Sequence, residues 1–402
     1  MKIKLRGNMP ISNSVSLSMT HSSWIRKMFE TGIALKKQYG ADKIYDFSLG
    51  NPDLPTPEIF NRVLVEESAH TGAYVHGYMP NKGYPETCAA IAKLLEMESG
   101  LPFTENQVVM TCGAAGAINI ILKSLLDPGD EVIVITPFFS EYEFYVDNHR
   151  GKLVISEANA ELLPDPTDIA AKISPRTRVL LLNSPNNPTG RVYSEDIFRE
   201  IGKLLAEKSA EIGHPIYLLM DEPYKKIIFD GIKYRSPFRY YRHTILASSF
   251  SKDLSLAGER IGYLAVSPLI EDYSALINAA AFCNRVLGYI NAPALMQRVI
   301  RRVPNACVAI ELYQKRRDMI YDALVEIGYE IIKPGGTFYL FPKCPIADDV
   351  KFVFALQDRL IITTPGVAFY RPGYFRISYA VPEDVIQAAI PGFKQVFNEM
   401  KP

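Results

Sequence analysis

The chain has 402 residues, 48% of them hydrophobic and 22% charged, and its 44 lysines and arginines balance 44 aspartates and glutamates. That length is too great for one small core and points to two domains, while zero net charge excludes the basic footprint on which nucleic-acid and membrane-surface binders depend. Five cysteines lie scattered without a CxxC pair and six histidines form no close ligand pair, so neither a disulfide framework nor a metal site is read.

Met1–Arg6 is basic, but Gly, Asn, Pro and Ser follow it instead of an apolar core, so no signal peptide is read. No apolar run is long enough to span a membrane, and a reducing cytoplasm fits the cysteine pattern. Ser22 and Ser23 stand where they can cap a helix over 24–37, with Trp24, Met28, Ile33 and Leu35 at roughly helical spacing. A short strand over 44–49 ends at Gly50-Asn51-Pro52-Asp53. Gly50 there is either a plain turn or a close backbone approach to a ligand anion.

Tyr78 opens a loop that runs to Gly83, ahead of a helix over 86–97. A strand over 107–111 is followed by Gly113-Ala114-Ala115-Gly116, which opens a helix. The N–H groups and dipole at such an end favour a phosphate. The spacing is not GxGxxG, however, and tight packing alone also explains the small residues. The strand 131–136 runs into Phe138, Phe139 and Tyr142, a cluster able to stack on a flat ring or simply to fill a core. Strands over 152–156 and 178–182 follow, the second entering a rigid turn, Asn183 to Gly190, with Asn187 near its centre. A helix over 195–212 and a strand over 215–220 lead to Asp221-Glu222-Pro223-Tyr224.

This recurrence of strand, polar turn, helix and strand predicts a mostly parallel α/β sheet with helices on both faces. Ligands in such sheets sit at the carboxyl ends of the strands. Gly113–Ala115, Phe139, Asn187, Asp221 and Lys252 all fall at such ends.

Lys252 lies in the polar turn Ser249-Phe-Ser251-Lys252-Asp-Leu-Ser-Leu-Ala-Gly-Glu259-Arg260, between apolar runs 244–247 and 261–266. A lysine amine buried beside another cation loses proton affinity and becomes a nucleophile, and serines with an arginine can seat a phosphate. A solvated turn accounts for the stretch equally well on its own. Beyond about residue 300 the pattern changes to a long helix over 307–327, short strands around 335–341, 361–364 and 375–379, and a last helix near 382–400, as in a smaller α+β domain.

An amine beside a phosphate seat points to a phosphorylated carbonyl cofactor. A pyridinium aldehyde held at Lys252 requires a carboxylate at its ring nitrogen, for which Asp221 is the candidate. Asn187 and Tyr224 can bond its ring hydroxyl, and Phe139 can stack on the ring. Gly113, Ala114, Ala115, Ser249, Ser251 and Arg260 can form the phosphate cup. An amino-acid substrate adds a carboxylate suited to a forked arginine, and Arg376 occupies a polar slot between apolar residues.

Asn187-Pro-Thr-Gly190, Asp221-Glu-Pro-Tyr224, Ser249-Phe-Ser-Lys252 with Gly258-Glu-Arg260-Ile-Gly262, and Phe375-Arg376-Ile-Ser378, in that order, resemble the motifs of class I/II aminotransferases of the aspartate aminotransferase superfamily. The likeness runs from about 44 to 380. It implies pyridoxal-phosphate fold type I: a large domain with a mostly parallel seven-stranded sheet between helices, plus a smaller α+β domain. The expected divisions are 1–50, 51–300 and 301–402, the first joining the small domain. It implies pyridoxal 5'-phosphate as cofactor, an L-amino acid and a 2-oxo acid as substrates in a ping-pong transfer, with an aspartate/glutamate type among its options, and a homodimer in which Tyr78 reaches the phosphate of the other subunit. It assigns Lys252 the cofactor carbonyl and the proton transfer, Asp221 the ring nitrogen, and Asn187 and Tyr224 the ring hydroxyl. Arg376 with the backbone at Gly50 and Asn187 takes the substrate carboxylate.

The chain departs from the pattern at Ala115, where many relatives carry a phosphate-binding side chain, and at Phe139, where tyrosine or tryptophan is commoner. Glu259 beside Arg260 stands to modulate the phosphate clamp. Arg285 falls near a second substrate arginine of some dicarboxylate-specific relatives, though an ordinary interface or surface arginine fits as well. A β-lyase on the same scaffold would use nearly the same residues.

Overall fold

The computed structural model describes residues 11–20 and 24–401. Its strands in chain order are β1 (Tyr45–Asp46), β2 (Val108–Thr111), β3 (Glu131–Ile135), β4 (Lys152–Ser156), β5 (Thr177–Asn183), β6 (Tyr217–Asp221), β7 (Thr244–Ser249), β8 (Gly262–Val266), β9 (Tyr339–Leu340), β10 (Ile361–Ile362), β11 (Thr364–Pro365) and β12 (Phe375–Ser378). Seven of them form one sheet in the order β2-β8-β7-β6-β5-β3-β4. All its pairings are parallel except those of β8, which runs against both β2 and β7.

The strands are apolar on both sides because both faces are covered. Alternate residues, such as Val108 and Met110, Leu180 and Leu182, and Leu218 and Met220, enter one core with Ile91, Leu95, Phe198, Ile201 and Leu205 from the helices Pro85–Ser99 and Glu195–Ile212. The intervening residues Val109, Val179, Leu181 and Leu219 enter the other, against the helices Gly113–Leu125 and Tyr273–Val286. Local signals set the helix ends. Ser194 Oγ accepts the Ile197 N–H at the start of Glu195–Ile212, and Gly213 closes it in the left-handed region at φ 80°.

A third core collects Met28, Ile44 and Phe47 from the N-terminal segment, Tyr224, Ile227 and Phe229, and the C-terminal residues from Val308 onward. There β11, β12 and β9 form a small antiparallel sheet, and β1 pairs in parallel with β10. The helix Ile310–Ile327 packs on Glu383–Met400. None of the helices of the described residues is long and apolar enough to cross a membrane.

Two local expectations change and one falls outside the described residues. Ser22 and Ser23, read as a cap, lie outside the described residues, as does the basic start. On the helix Trp24–Tyr39 the buried face runs through Trp24, Met28, Gly32 and Leu35, while Ile33 is exposed, because Gly32 is where the helix meets the Asp46 carboxylate. The helix expected from Cys307 begins at Ile310, since the Val308 N–H is drawn to the carbonyl of Asp253 at 2.8 Å.

Candidate active site

The carboxyl ends of β5, β6 and β7 deliver Asn183, Asp221 and Ser249 to one rim of the sheet. Together with the first turn of Gly113–Leu125, the 250–260 segment and β12, they enclose a cavity of about 340 Å³. Gly50, Ala114, Ala115, Phe139, Asn187, Asp221, Tyr224, Ser249, Ser251, Lys252, Arg260 and Arg376 all line it. They come from seven separate stretches of the chain.

Lys252 Nζ donates to the carbonyl of Gly50 at 2.7 Å. Burial is the main force that brings its amine down to about 8, with Arg376 and then Arg260 adding repulsion. Asp221 is buried, and loss of hydration pushes its carboxyl up to about 6. Its Oδ2 accepts the Tyr142 hydroxyl at 2.6 Å, and its Oδ1 is buried without a hydrogen-bond partner. Tyr224 and Tyr339 share a hydroxyl–hydroxyl bond of 2.9 Å. Burial holds the Tyr224 phenol far above its ordinary range.

Arg376 comes from β12 with its guanidinium over two rings, Tyr339 at 4.5 Å and Phe369 at 4.8 Å. Nη1 donates to Asn187 Oδ1 at 2.9 Å and Nη2 to the Ser48 carbonyl at 2.6 Å, while Nε is buried without a partner. Asn187 is fixed from both ends. Its backbone N–H, read from the sequence as a substrate contact, is taken by Asn183 Oδ1 at 2.6 Å. With Oδ1 on Arg376, its amide N–H groups are the donors left for a ligand.

Gly113 does not line the cavity but abuts Arg260. It sits at φ 75°, and a Cβ there would come within 2.7 Å of Arg260 Nη2. Arg260 donates to the carbonyls of Ala257 at 3.0 Å and Cys112 at 3.3 Å. It forms no ion pair among the described residues, and Glu259 is exposed beside it. The Ser251 N–H leans on Ser249 Oγ at 3.4 Å.

Two expected residues lie elsewhere. Tyr78 is 91% exposed in a depression with Tyr289 and Ile290, outside the cavity. Arg285 is exposed on Tyr273–Val286 and rests over the Phe282 ring at 5.5 Å. The sequence reading missed Tyr145, Asn183 and Tyr339 as site residues and took Tyr142 only as part of an aromatic cluster. Asn183, the strand-terminal amide of Asn183-Ser-Pro-Asn, was the one with a usable signal.

The residues fit a phosphorylated pyridine aldehyde. The unpartnered Asp221 Oδ1 can take a ring nitrogen, Lys252 offers an amine low in proton affinity, and Arg260 with the helix N-terminal N–H groups offers an anion seat free of carboxylates. No group of three or more His, Cys, Asp or Glu able to hold a metal occurs among the described residues.

A sequence profile of the family described as "Aminotransferase class I and II" matches residues 42–392. The chain is similar to the aspartate/prephenate aminotransferase of Thermus thermophilus, 32% identical over 377 residues, with 91% of this chain and 94% of that protein covered. It is similar to a probable aspartate aminotransferase of Methanocaldococcus jannaschii, 30% identical, covering 88% and 93%. Among solved structures, an aminotransferase from Eubacterium rectale matches with TM-score 0.94 and 37% identity over 98% of this chain and 100% of the other. The Thermus thermophilus aspartate aminotransferase with maleate matches with TM-score 0.84 and 27% identity, again covering 98% and 100%.

Proposed function

The chain belongs to the class I and II aminotransferases and is a pyridoxal-phosphate-dependent transaminase of fold type I, and we propose that it moves the amino group of L-aspartate to 2-oxoglutarate through Lys252, Asp221 and Arg376. The observation that carries this reading is the buried Lys252 amine, flanked by Arg376 and Arg260, in one cavity with the unpartnered Asp221 Oδ1. The named aspartate aminotransferases among its relatives support the donor.

When bound, pyridoxal phosphate supplies a protonated pyridine ring that takes up the electron pair left when the substrate Cα–H bond breaks. Lys252 holds the cofactor through its amine. With the cofactor bound, the Lys252 amine would be the base that takes up the substrate Cα proton and passes it on, a task suited to an amine brought down to about 8. Asp221 Oδ1 keeps the ring nitrogen protonated. The Asn187 amide and the Tyr224 hydroxyl bond the ring hydroxyl, and Phe139 covers the ring. Ala114, Ala115, Ser249, Ser251 and Arg260, with Gly113 leaving them room, hold the phosphate.

Arg376 is preorganised, because its two rings and two acceptors fix the fork before a carboxylate arrives. Gly50 forms the wall opposite. We further propose a homodimer in the cytoplasm, with Tyr78 reaching the cavity of a second copy, and a division of the chain at 50 and 300. Exposure of Tyr74 and Tyr78, each 91%, supports the dimer. Five free cysteines support the location.

A panel of amino donors offered with 2-oxoglutarate tests the substrate. L-aspartate is expected to give the highest kcat/KM, with glutamate formed in step. Release of pyruvate and ammonia without glutamate would instead identify a lyase.

A further inference from the structure

Asp221 is the carboxylate that the proposed function places at the ring nitrogen, and its surroundings are unusual in one respect. It lies at the end of β6 with 7% of its surface exposed. The groups that face it are the hydroxyls of Tyr142 and Tyr145 on the helix Glu141–Asp147, the Tyr224 phenol, and the next residue, Glu222. None of these is a cation. A buried carboxylate without a cation or a donor takes up a proton and becomes neutral. One donor opposes that outcome: Tyr142, itself 1% exposed, whose hydroxyl meets Oδ2 at 2.6 Å.

The Tyr142 ring has little freedom to leave. It is stacked on Phe138 at 6.4 Å and meets Phe139 edge-on at 5.7 Å. The second oxygen, Oδ1, makes no bond and belongs to a residue lining the cavity. One oxygen is therefore pinned from behind and the other left for the ligand.

We propose that Tyr142 is a positioning residue that holds Asp221 as the anion, with Oδ1 turned to the cavity, so that a pyridine nitrogen placed there keeps its proton. This inference rests on the cofactor reading above. Two groups compete for one proton. It can sit on the ring nitrogen beside a carboxylate, or on the carboxyl beside a neutral ring. A donor on Oδ2 stabilises the carboxylate and favours the first arrangement. Without the donor the carboxyl becomes the better base and the proton moves towards it, which weakens the ring as an electron acceptor.

The experiment compares the wild-type chain with Tyr142→Phe, each loaded with pyridoxal phosphate labelled with ¹⁵N in the ring. The ¹⁵N shift reports protonation of that nitrogen directly and does not depend on turnover. In the wild-type chain it is expected at the pyridinium position. In Tyr142→Phe it is expected to move towards neutral pyridine, with kcat for L-aspartate about tenfold lower and KM within about twofold, as loss of one hydrogen bond to a charged group implies. Borohydride fixation of the cofactor at Lys252 and thermal melting of Tyr142→Phe show whether the variant is folded and loaded. Equal ¹⁵N shifts in two loaded, folded proteins would overturn the role of Tyr142 and leave the cofactor reading standing. Failure of the wild-type chain to take up the cofactor would overturn the cofactor reading, and this inference with it. If Tyr142→Phe does not fold, Tyr142→His restores a donor in the same place. A pyridinium shift in that variant supports the proposal, and a neutral-ring shift contradicts it.

Discussion

Lys252 Nζ and the carbonyl oxygen of Gly50 meet at 2.7 Å across 202 positions of sequence. The contact exists because Gly50 has no side chain. A Cβ there would lie 1.6 Å from the Tyr339 hydroxyl, whose ring in turn carries Arg376. One glycine therefore fits the N-terminal loop against Lys252, the shared tyrosine hydroxyls and Arg376 together.

Gly50→Ala is expected to lower kcat/KM for the amino acid by about 10- to 100-fold, because overpacking must displace either the loop or Tyr339. Tyr339→Phe removes the nearest clashing atom, but the ring carbon Cζ stays at 2.5 Å, so the double variant Gly50→Ala/Tyr339→Phe should recover only a small part of the loss. Steady-state kinetics on the four proteins of this cycle check the coupling. Strict additivity would mean that the two groups do not compete for this space.

Lys252 is held near 8 by burial, then by Arg376 and Arg260, against an ordinary value of 10.5. Only the unprotonated amine attacks a carbonyl. The rate at which the cofactor-free chain takes up pyridoxal phosphate should therefore rise with pH through about 8 and then level off. Stopped-flow absorbance measures it. Arg376→Gln removes one of the repelling charges and is expected to move the midpoint upward.

Asp221 has the opposite linkage. Its folded value of about 6 exceeds the ordinary 3.8, so folding favours its protonated form. The stability it allows is complete below about pH 4 and is lost as the pH rises through about 6, at a cost of about 3 kcal/mol in the cofactor-free chain. Asp221→Asn should therefore melt above the wild-type cofactor-free chain at pH 8, and the difference should shrink towards pH 4. The same variant should lose nearly all transamination. Calorimetry at the two pH values checks the first part and a coupled assay the second.

Arg376→Ala removes a fixed fork and leaves the Asn187 amide and the Ser48 carbonyl without their donor. A loss of several kcal/mol in carboxylate binding follows, or about a hundredfold or more in KM for both the amino acid and the 2-oxo acid. Cofactor content should stay close to that of the wild-type chain, because Arg376 bonds none of the phosphate-side residues. Initial-rate kinetics with an absorbance measurement of bound cofactor separate the two effects.

The seven-stranded sheet and most of the cavity lining were legible because each strand is a continuous apolar run ending in a polar turn. That pattern marks both the strand and the end where a ligand sits. Residues that act on other site residues left no such mark. Tyr142 sits in the first turn of a short helix and reads as core, and Tyr339 sits inside the apolar run 338–341. Their hydroxyls matter only because the fold brings Asp221 and Tyr224 to them. Ile33 misled for a related reason. Its spacing suits a helix face, but the packed face is the one where Gly32 lets the helix approach Asp46. The backbone N–H of Asn187 was lost to Asn183, four residues earlier, a local side-chain bond that a motif does not announce.

The measurement that bears most directly on the whole account is borohydride reduction of the purified, cofactor-loaded chain, followed by peptide mass mapping. The expected result is a yellow protein, with the mass of reduced pyridoxal phosphate on the peptide containing Lys252 and no such adduct in Lys252→Ala, which should also lose turnover. A colourless chain that takes up no cofactor, or an adduct on a different lysine, would contradict the assignment of Lys252 and the site built around it.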